Sequence, residues 1–330
     1  MNTDEDRVRA LLDEAVSDVE PRRSLDEIRS RTTSTRTRRG WVWGAGGAVL
    51  ATAATIAAIV ALSGAPGTTD AGPGPADGGS DSSGVFDESA SYDVYFVGDT
   101  SHGPRLFDEP HTFDDGDRVG VLQHALDGSA DDPDYRSYWP EGTKVDAVHA
   151  DGGSPEAPVV VDLSGPALTD RPSGVSTAQA QQSVQQVVWT ASELAYPQSP
   201  VDIRVGGRRV STLLGVPLTS PVVRGSADDV LAQVQVITPT QGSTWSAPDP
   251  ITVEGQAAAF EANVQWELRR GDTVVKRGFT TAEECCTLSP FSFPLPLPPP
   301  GTYTLVVHDE DPSGGEGPAP WQDTKEITVR

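Results

Sequence analysis

Apolar positions along this chain fall into three regimes. The first is an unbroken apolar run, Trp41 to Leu62, "WVWGAGGAVLATAATIAAIVAL", 22 residues without a charge. At 1.5 Å per helical residue it spans about 33 Å, enough for a hydrocarbon core. The second regime, within residues 92–225, mixes two periods. "YDVYFV", "GTKVDAVHA", "APVVVDLS" and "VDIRVGGRRV" read as strands, the last turning at Gly206-Gly207. "DRVGVLQHALDG" predicts a short helix with Val119, Leu122 and Leu126 inward and Gly128 at its stop. "STAQAQQSVQQVVWTASEL" predicts a long one, capped by Ser176. Its apolar stripe is Ala180, Val184, Val187, Val188, Ala191 and Leu194, and its other face is mostly glutamine. Strand, helix, two strands, helix, strand is a small α+β domain.

The third regime, residues 232–330, has period two. "VQVI", "ITVEG", "FEANVQWEL", "TVVKRGF", "PFSFPL", "YTLVVHD" and "KEITVR" alternate and are separated by Gly, Pro, Asn or Asp. Seven such runs predict an antiparallel sandwich. Within "FEANVQWEL", Phe260, Ala262, Val264, Trp266 and Leu268 are expected to face inward, with Glu261, Gln265 and Glu267 in water.

Composition adds the connections. Only 36% of residues are hydrophobic, and there are 33 Gly and 28 Pro. Residues 63–91, "SGAPGTTDAGPGPADGGSDSSGVFDESAS", cannot bury enough apolar surface to fold and read as a disordered stalk. Residues 1–40 hold as many arginines as acids, so the net charge of −24 belongs to the rest. Arg36, Arg38 and Arg39 precede the apolar run, and no Lys or Arg follows it until Arg105. The positive-inside rule then makes 41–62 a transmembrane helix and 1–40 a cytoplasmic tail with two short helical segments. Both later domains become extracytoplasmic, in a single-pass protein of the cell membrane. A cleaved signal peptide is the rival and would need an unusually long n-region. No cysteine lies near this segment, which speaks against a lipid-modified N-terminus. The acidic surface repels nucleic acid.

Chemistry is sparse. None of the five histidines makes a metal-binding spacing, and no nucleophile elbow or phosphate loop occurs. The sequence therefore predicts no catalytic residue, cofactor or metal. His102 and His111, with Asp108, Glu109, Asp114 and Asp115, read as a solvated acidic loop before a metal site. "DEDPSGGEGPAP" at 309–320 starts like a calcium loop, but Pro320 stands where the last ligand belongs, so a hairpin loop is expected. "DGSADDPD", with Asp131, Asp132 and Asp134, reads as an acidic turn. Cys285 and Cys286, the only cysteines, are adjacent: a vicinal disulfide, free thiols or cross-chain bonds all stay open. The glutamines Gln181, Gln182, Gln185 and Gln186 read as a soluble face, or as a partner surface whose amides donate and accept together.

Residues 92–225 resemble the GerMN domain of sporulation and germination proteins. The resemblance lies in "YFV", the helix ending "ALDG", "WPEGTKV", "VVDLSG", the long amphipathic helix and "VDIRVGG". Residues 232–330 resemble the immunoglobulin-like domain of bacterial spore germination. There the match is "VITPTQGSTWSAPDPITVEGQAAAFEANVQWEL", "PGTYTLVVHDEDPSGGEGP" and the closing "EITV". The resemblance implies a non-catalytic protein of the bacterial envelope that binds or assembles with another envelope protein or with peptidoglycan. Self-association is open. A transmembrane regulator whose tail binds a cytoplasmic partner is the second reading. An envelope hydrolase is disfavoured by the missing catalytic constellation.

Overall fold

The computed structural model describes residues 89–150, 152–246, 250–310, 316 and 318–330. The expected tail 1–40, the span 41–62 and nearly all of the stalk 63–91 lie outside the described residues. Among the described residues no helix is long and apolar enough to cross a membrane. All of them fall within one compact unit.

The first half is α+β. Strands β1 (Ser89–Thr100) and β2 (Gly103–Asp114) form a long antiparallel hairpin, and β3 (Tyr135–Arg136) pairs with the other edge of β1. β1 thus begins inside the tract expected to be stalk. Val94 to Gly98 are all buried because both faces of β1 are covered. Val94 and Phe96 join the main α+β core, while Tyr95 and Val97 join a second apolar cluster with Leu231. Helix α1 (Arg118–Asp127) is capped by the Asp117 carboxylate and stopped by Gly128, at φ +67°. Its inward row is Val121, Leu122, Ala125 and Leu126; Val119, expected inward, sits one turn earlier and is exposed.

β4 (Lys144–His149) runs antiparallel to β5 (Val159–Ser164). Helix α2 (Thr177–Glu193) then crosses to β6 (Val201–Val205), parallel to β5. Gly206 and Gly207, both at positive φ, turn the chain into β7 (Arg208–Arg209). A two-stranded ribbon, β8 (Thr212–Leu213) with β9 (Val216–Pro217), follows. Ser176 and Gln179 form a reciprocal capping box on α2. The predicted stripe from Ala180 to Leu194 is buried throughout.

The glutamine row of α2 does not form one face in water. Gln181 is exposed and Gln185 half-buried, but Gln182 and Gln186 are buried. The hairpin β1–β2 covers that side of the helix, so these four residues share no common solvent face. Gln186 is fully buried. It donates to the carbonyls of Tyr95 and Ala125, both at 2.9 Å, and accepts from Trp139 Nε1 at 3.0 Å.

A single turn, α3 (Ala227–Val230), leads into the sandwich. One sheet has the order β10 (Val234–Thr238), β12 (Ile251–Ala257), β15 (Ser289–Leu295). The other runs β11 (Ser243–Trp245), β17 (Gln322–Val329), β16 (Gly301–Asp309), β13 (Asn263–Arg270), β14 (Thr273–Thr281). The seven expected strands form. β11 is additional, three residues long and parallel to β17. The inner row of β13 differs from expectation. Phe260 to Ala262 make a 3-10 turn, with Glu261 and Ala262 at positive φ, and Phe260 is 56% exposed. The chain crosses from one sheet to the other between β12 and β13, and the turn that makes the crossing consumes Phe260. Val264 and Leu268 are fully buried; Trp266 is half-buried and stacks on Phe293 at 5.1 Å.

Candidate functional site

The last strand carries the feature that organises the molecule. Along β17 the inward positions are Asp323, Lys325, Ile327 and Val329, all buried. The first two of that row are charged, and their partners come from the α+β half. Lys325 is 2% exposed. Its Nζ lies 2.7 Å from Asp132 Oδ2, 2.7 Å from the Tyr135 hydroxyl and 3.5 Å from Asp323 Oδ1. The Tyr135 hydroxyl donates to Asp323 Oδ1 at 2.9 Å, and Asp323 Oδ2 accepts the Val236 amide at 2.7 Å. The loop that presents Asp132 is held in turn by Glu109. That carboxylate accepts the amides of Asp131 (2.9 Å) and Asp132 (3.0 Å) and pairs with His111 Nε2 (3.2 Å).

The electrostatics are those of a buried, two-carboxylate clamp. Burial alone would lower the Lys325 ammonium, but Asp323 and Asp132 outweigh it and hold its pKa above the ordinary value. Burial raises Asp323 and Asp132, and Lys325 only partly opposes this. Such a network adds little net stability against a well-packed apolar core. Losing one partner is expensive, however, so it fixes one relative geometry of the parts it joins.

Further contacts cross the same junction. Tyr95, Val97, Leu106 and Trp189 pack with Val230 and Leu231, and Leu288 lies against them. The Ala232 amide donates to the Leu106 carbonyl at 2.9 Å, and the Asp108 amide to Gln235 Oε1 at 3.1 Å. At the hairpin tip, Ser101 Oγ donates to the Ala319 carbonyl at 2.7 Å and the His102 ring stacks on Trp321 at 4.1 Å. Between tip and sandwich lies a cleft of about 340 Å³, with Asp99, Ser101, Asp134 and Arg136 on one wall and Gln322 and Thr324 on the other. Clefts at domain boundaries are where ligands most often bind.

The sequence-derived candidates fare differently. His102 and His111 are not brought together: one stacks at the hairpin tip and the other pairs with Glu109. Among the described residues no group of His, Cys, Asp and Glu is arranged to hold a metal ion. Part of the 309–320 loop lies outside the described residues. The "DGSADDPD" turn is more than a solvated loop, because Asp132 is buried against Lys325. Cys285 and Cys286 are joined by a disulfide on an exposed loop, with the Cys286 amide bonded to the Ala259 carbonyl at 3.2 Å. The junction residues Tyr135, Asp323 and Lys325 escaped sequence reasoning, and Asp132 reads there only as part of an acidic turn. The signal was present in "QDTKEITV", where Asp323 and Lys325 share parity with Ile327 and Val329.

Residues 93–211 match the family model described as sporulation and spore germination. Residues 233–316 match that of the immunoglobulin-like domain of bacterial spore germination. Both are non-catalytic families. No match was found among curated proteins. Similar solved structures include the tandem GerMN domains of the sporulation protein GerM from Bacillus subtilis, at 12% identity and a TM-score of 0.33. That likeness covers 63% of this chain and 61% of that one, so this chain spans less than two thirds of that protein's length. A lytic polysaccharide monooxygenase from Jonesia denitrificans matches at 10% identity and a TM-score of 0.21, over 28% of this chain and 60% of that one. WR4, an MSP family member from C. elegans, matches at 13% and 0.19, over 30% and 99%. The order of domains read from the sequence is the order the family models find: this chain carries a sporulation and spore germination domain followed by an immunoglobulin-like domain of bacterial spore germination.

Proposed function

We propose that this chain is a non-catalytic binding and assembly protein of the bacterial envelope. Its two germination-type domains act as one rigid body. The observation that carries this reading is the Lys325–Asp132–Asp323–Tyr135 network, which ties the last strand of one domain to a loop of the other. A hydrolase has no need to freeze two binding domains in one register; an adaptor that presents a fixed composite surface does. Residues 41–62 anchor it as a single span, residues 1–40 lie in the cytoplasm, and its partner is an envelope protein or peptidoglycan. The uncharged run and the arginines on one side of it support that topology.

A photo-crosslinking residue at Gln322 or Asp99, both exposed beside the interdomain cleft, tests the reading in intact cells. The expected product is a covalent adduct with an envelope protein or with cell-wall material. Adducts only with cytosolic proteins would overturn it. The topology has its own readout: an exterior-active reporter should work when fused after Ser91 and fail when fused at Arg31.

A further inference from the structure

The five-stranded sheet turns one face into the sandwich and the other outward. On the outward face, register places Phe279 of β14, Gln265 of β13 and His308 of β16 side by side. Phe279 is 75% exposed. Leaving a phenylalanine in water forgoes the stabilisation of burying its ring, and nothing in the packing of the sandwich requires it there. It stands over a groove of about 390 Å³, lined also by Asn263, Glu267, Arg277 and the edge of Trp266.

The polar groups of this groove have unused capacity. His308 Nδ1 donates to the Asp309 carbonyl at 2.8 Å, which leaves Nε2 as an acceptor. Asn263 Nδ2 donates to Glu310 at 3.0 Å, which leaves its Oδ1 open. Gln265 brings both a donor and an acceptor. Among the lining residues the charges balance, one carboxylate, Glu267, facing one guanidinium, Arg277, across the strands. A neutral patch on a protein of net charge −24 selects against anionic polymers, and its one carboxylate is already paired against cations. A peptide strand would add at the outer edge of β14, beside this row and not on its face, and two side chains of β14 already bridge that edge to the segment next to it. Thr280 Oγ1 donates to the Ser292 carbonyl at 3.1 Å, and Lys276 Nζ to the Pro296 carbonyl at 2.7 Å. What fits is a neutral ring with one flat apolar face and a rim of donors and acceptors.

We propose that the Phe279–Gln265–His308 row binds a neutral, N-acetylated glycan strand. The sugar ring lies on Phe279, and its acetamido group meets the Gln265 amide. The inference deepens the envelope reading, on which it rests for access to such a strand. The test is titration of the purified full-length chain with chitotetraose, followed by intrinsic tryptophan fluorescence and by calorimetry. Saturable binding is expected, weakened about tenfold or more by Phe279→Ala, the effect of removing a central aromatic anchor. Gln265→Ala should weaken chitotetraose but not cellotetraose, which lacks acetamido groups. Gln181→Ala, on an exposed site of α2, should change nothing. Phe279 is exposed, so its variant keeps the fold, and an unchanged melting temperature verifies that. No saturable binding, or binding indifferent to Phe279→Ala, would overturn the inference. Envelope adducts without glycan binding would sink this inference alone. Glycan binding with only cytosolic adducts would sink the envelope reading alone.

Discussion

Gln186 shows what one side chain settles in this fold. Its amide satisfies two buried carbonyls and one indole N–H at the place where α1, α2 and β1 meet. Gln186→Leu would strand all three, at a cost of about 2–4 kcal/mol, whereas Gln181→Ala should stay within about 0.5 kcal/mol. Urea denaturation of both variants measures the contrast. The sequence could not separate these glutamines, since their helical spacing is regular and only the overlying hairpin tells them apart. Asp108 makes a second residue-scale case. Burial, then Asp93, pushes its carboxyl up to about 7; Asp323 adds to this, while its own backbone amide and Lys325 oppose it. Its folded pKa is thus above its unfolded one, so its contribution is complete below about pH 4 and lost as pH rises through about 7. Asp108→Asn should therefore be more stable than the parent at pH 8, and the difference should vanish by pH 4. Denaturant midpoints across that range decide.

At the scale of elements, alternation located the seven long strands of the sandwich, because one face of each sheet is buried and register then fixes every side chain. It missed β2, whose residues Gly103–Asp114 read as an acidic loop and instead pair along the whole of β1. It failed where backbone reversal overrode pattern. Phe260 continues the apolar parity of β13 yet belongs to the turn before it. β11 is too short to alternate and exists only because β17 offers it a parallel partner. The pairing of β13 with β14 depends on a residue with no pattern value. A Cβ built on Gly278 would lie 2.5 Å from the Trp266 ring, which itself stacks on Phe293. Gly278→Ala should displace the indole and cost about 1–3 kcal/mol, the range for overpacking. A shift in intrinsic tryptophan fluorescence together with a lower melting temperature would show it; a silent substitution would mean the ring moves freely.

At the scale of the whole molecule, the two domains were legible in the sequence but their joining was not. Asp132 and Lys325 are far apart in the chain, and each alone reads as a charge in water. Lys325→Met leaves Asp132 and Asp323 buried without their cation and should cost about 3–5 kcal/mol. The deficit should shrink in acid, where those carboxylates protonate. Calorimetry should show one unfolding transition in the parent and two in the variant. The long hairpin carries one more implication, a mechanical one. The chain enters at Ser89, opposite Asp114, while the sandwich grips the far end of the hairpin at Ser101 and His102 and the Leu106 carbonyl beside it. A pull between Ser89 and the sandwich therefore runs lengthwise along β1. Its hydrogen bonds to β2 are loaded in shear and must rupture together, not peel one by one. A protein tethered on one side and bound on the other would hold under tension in that direction and yield readily when pulled across it.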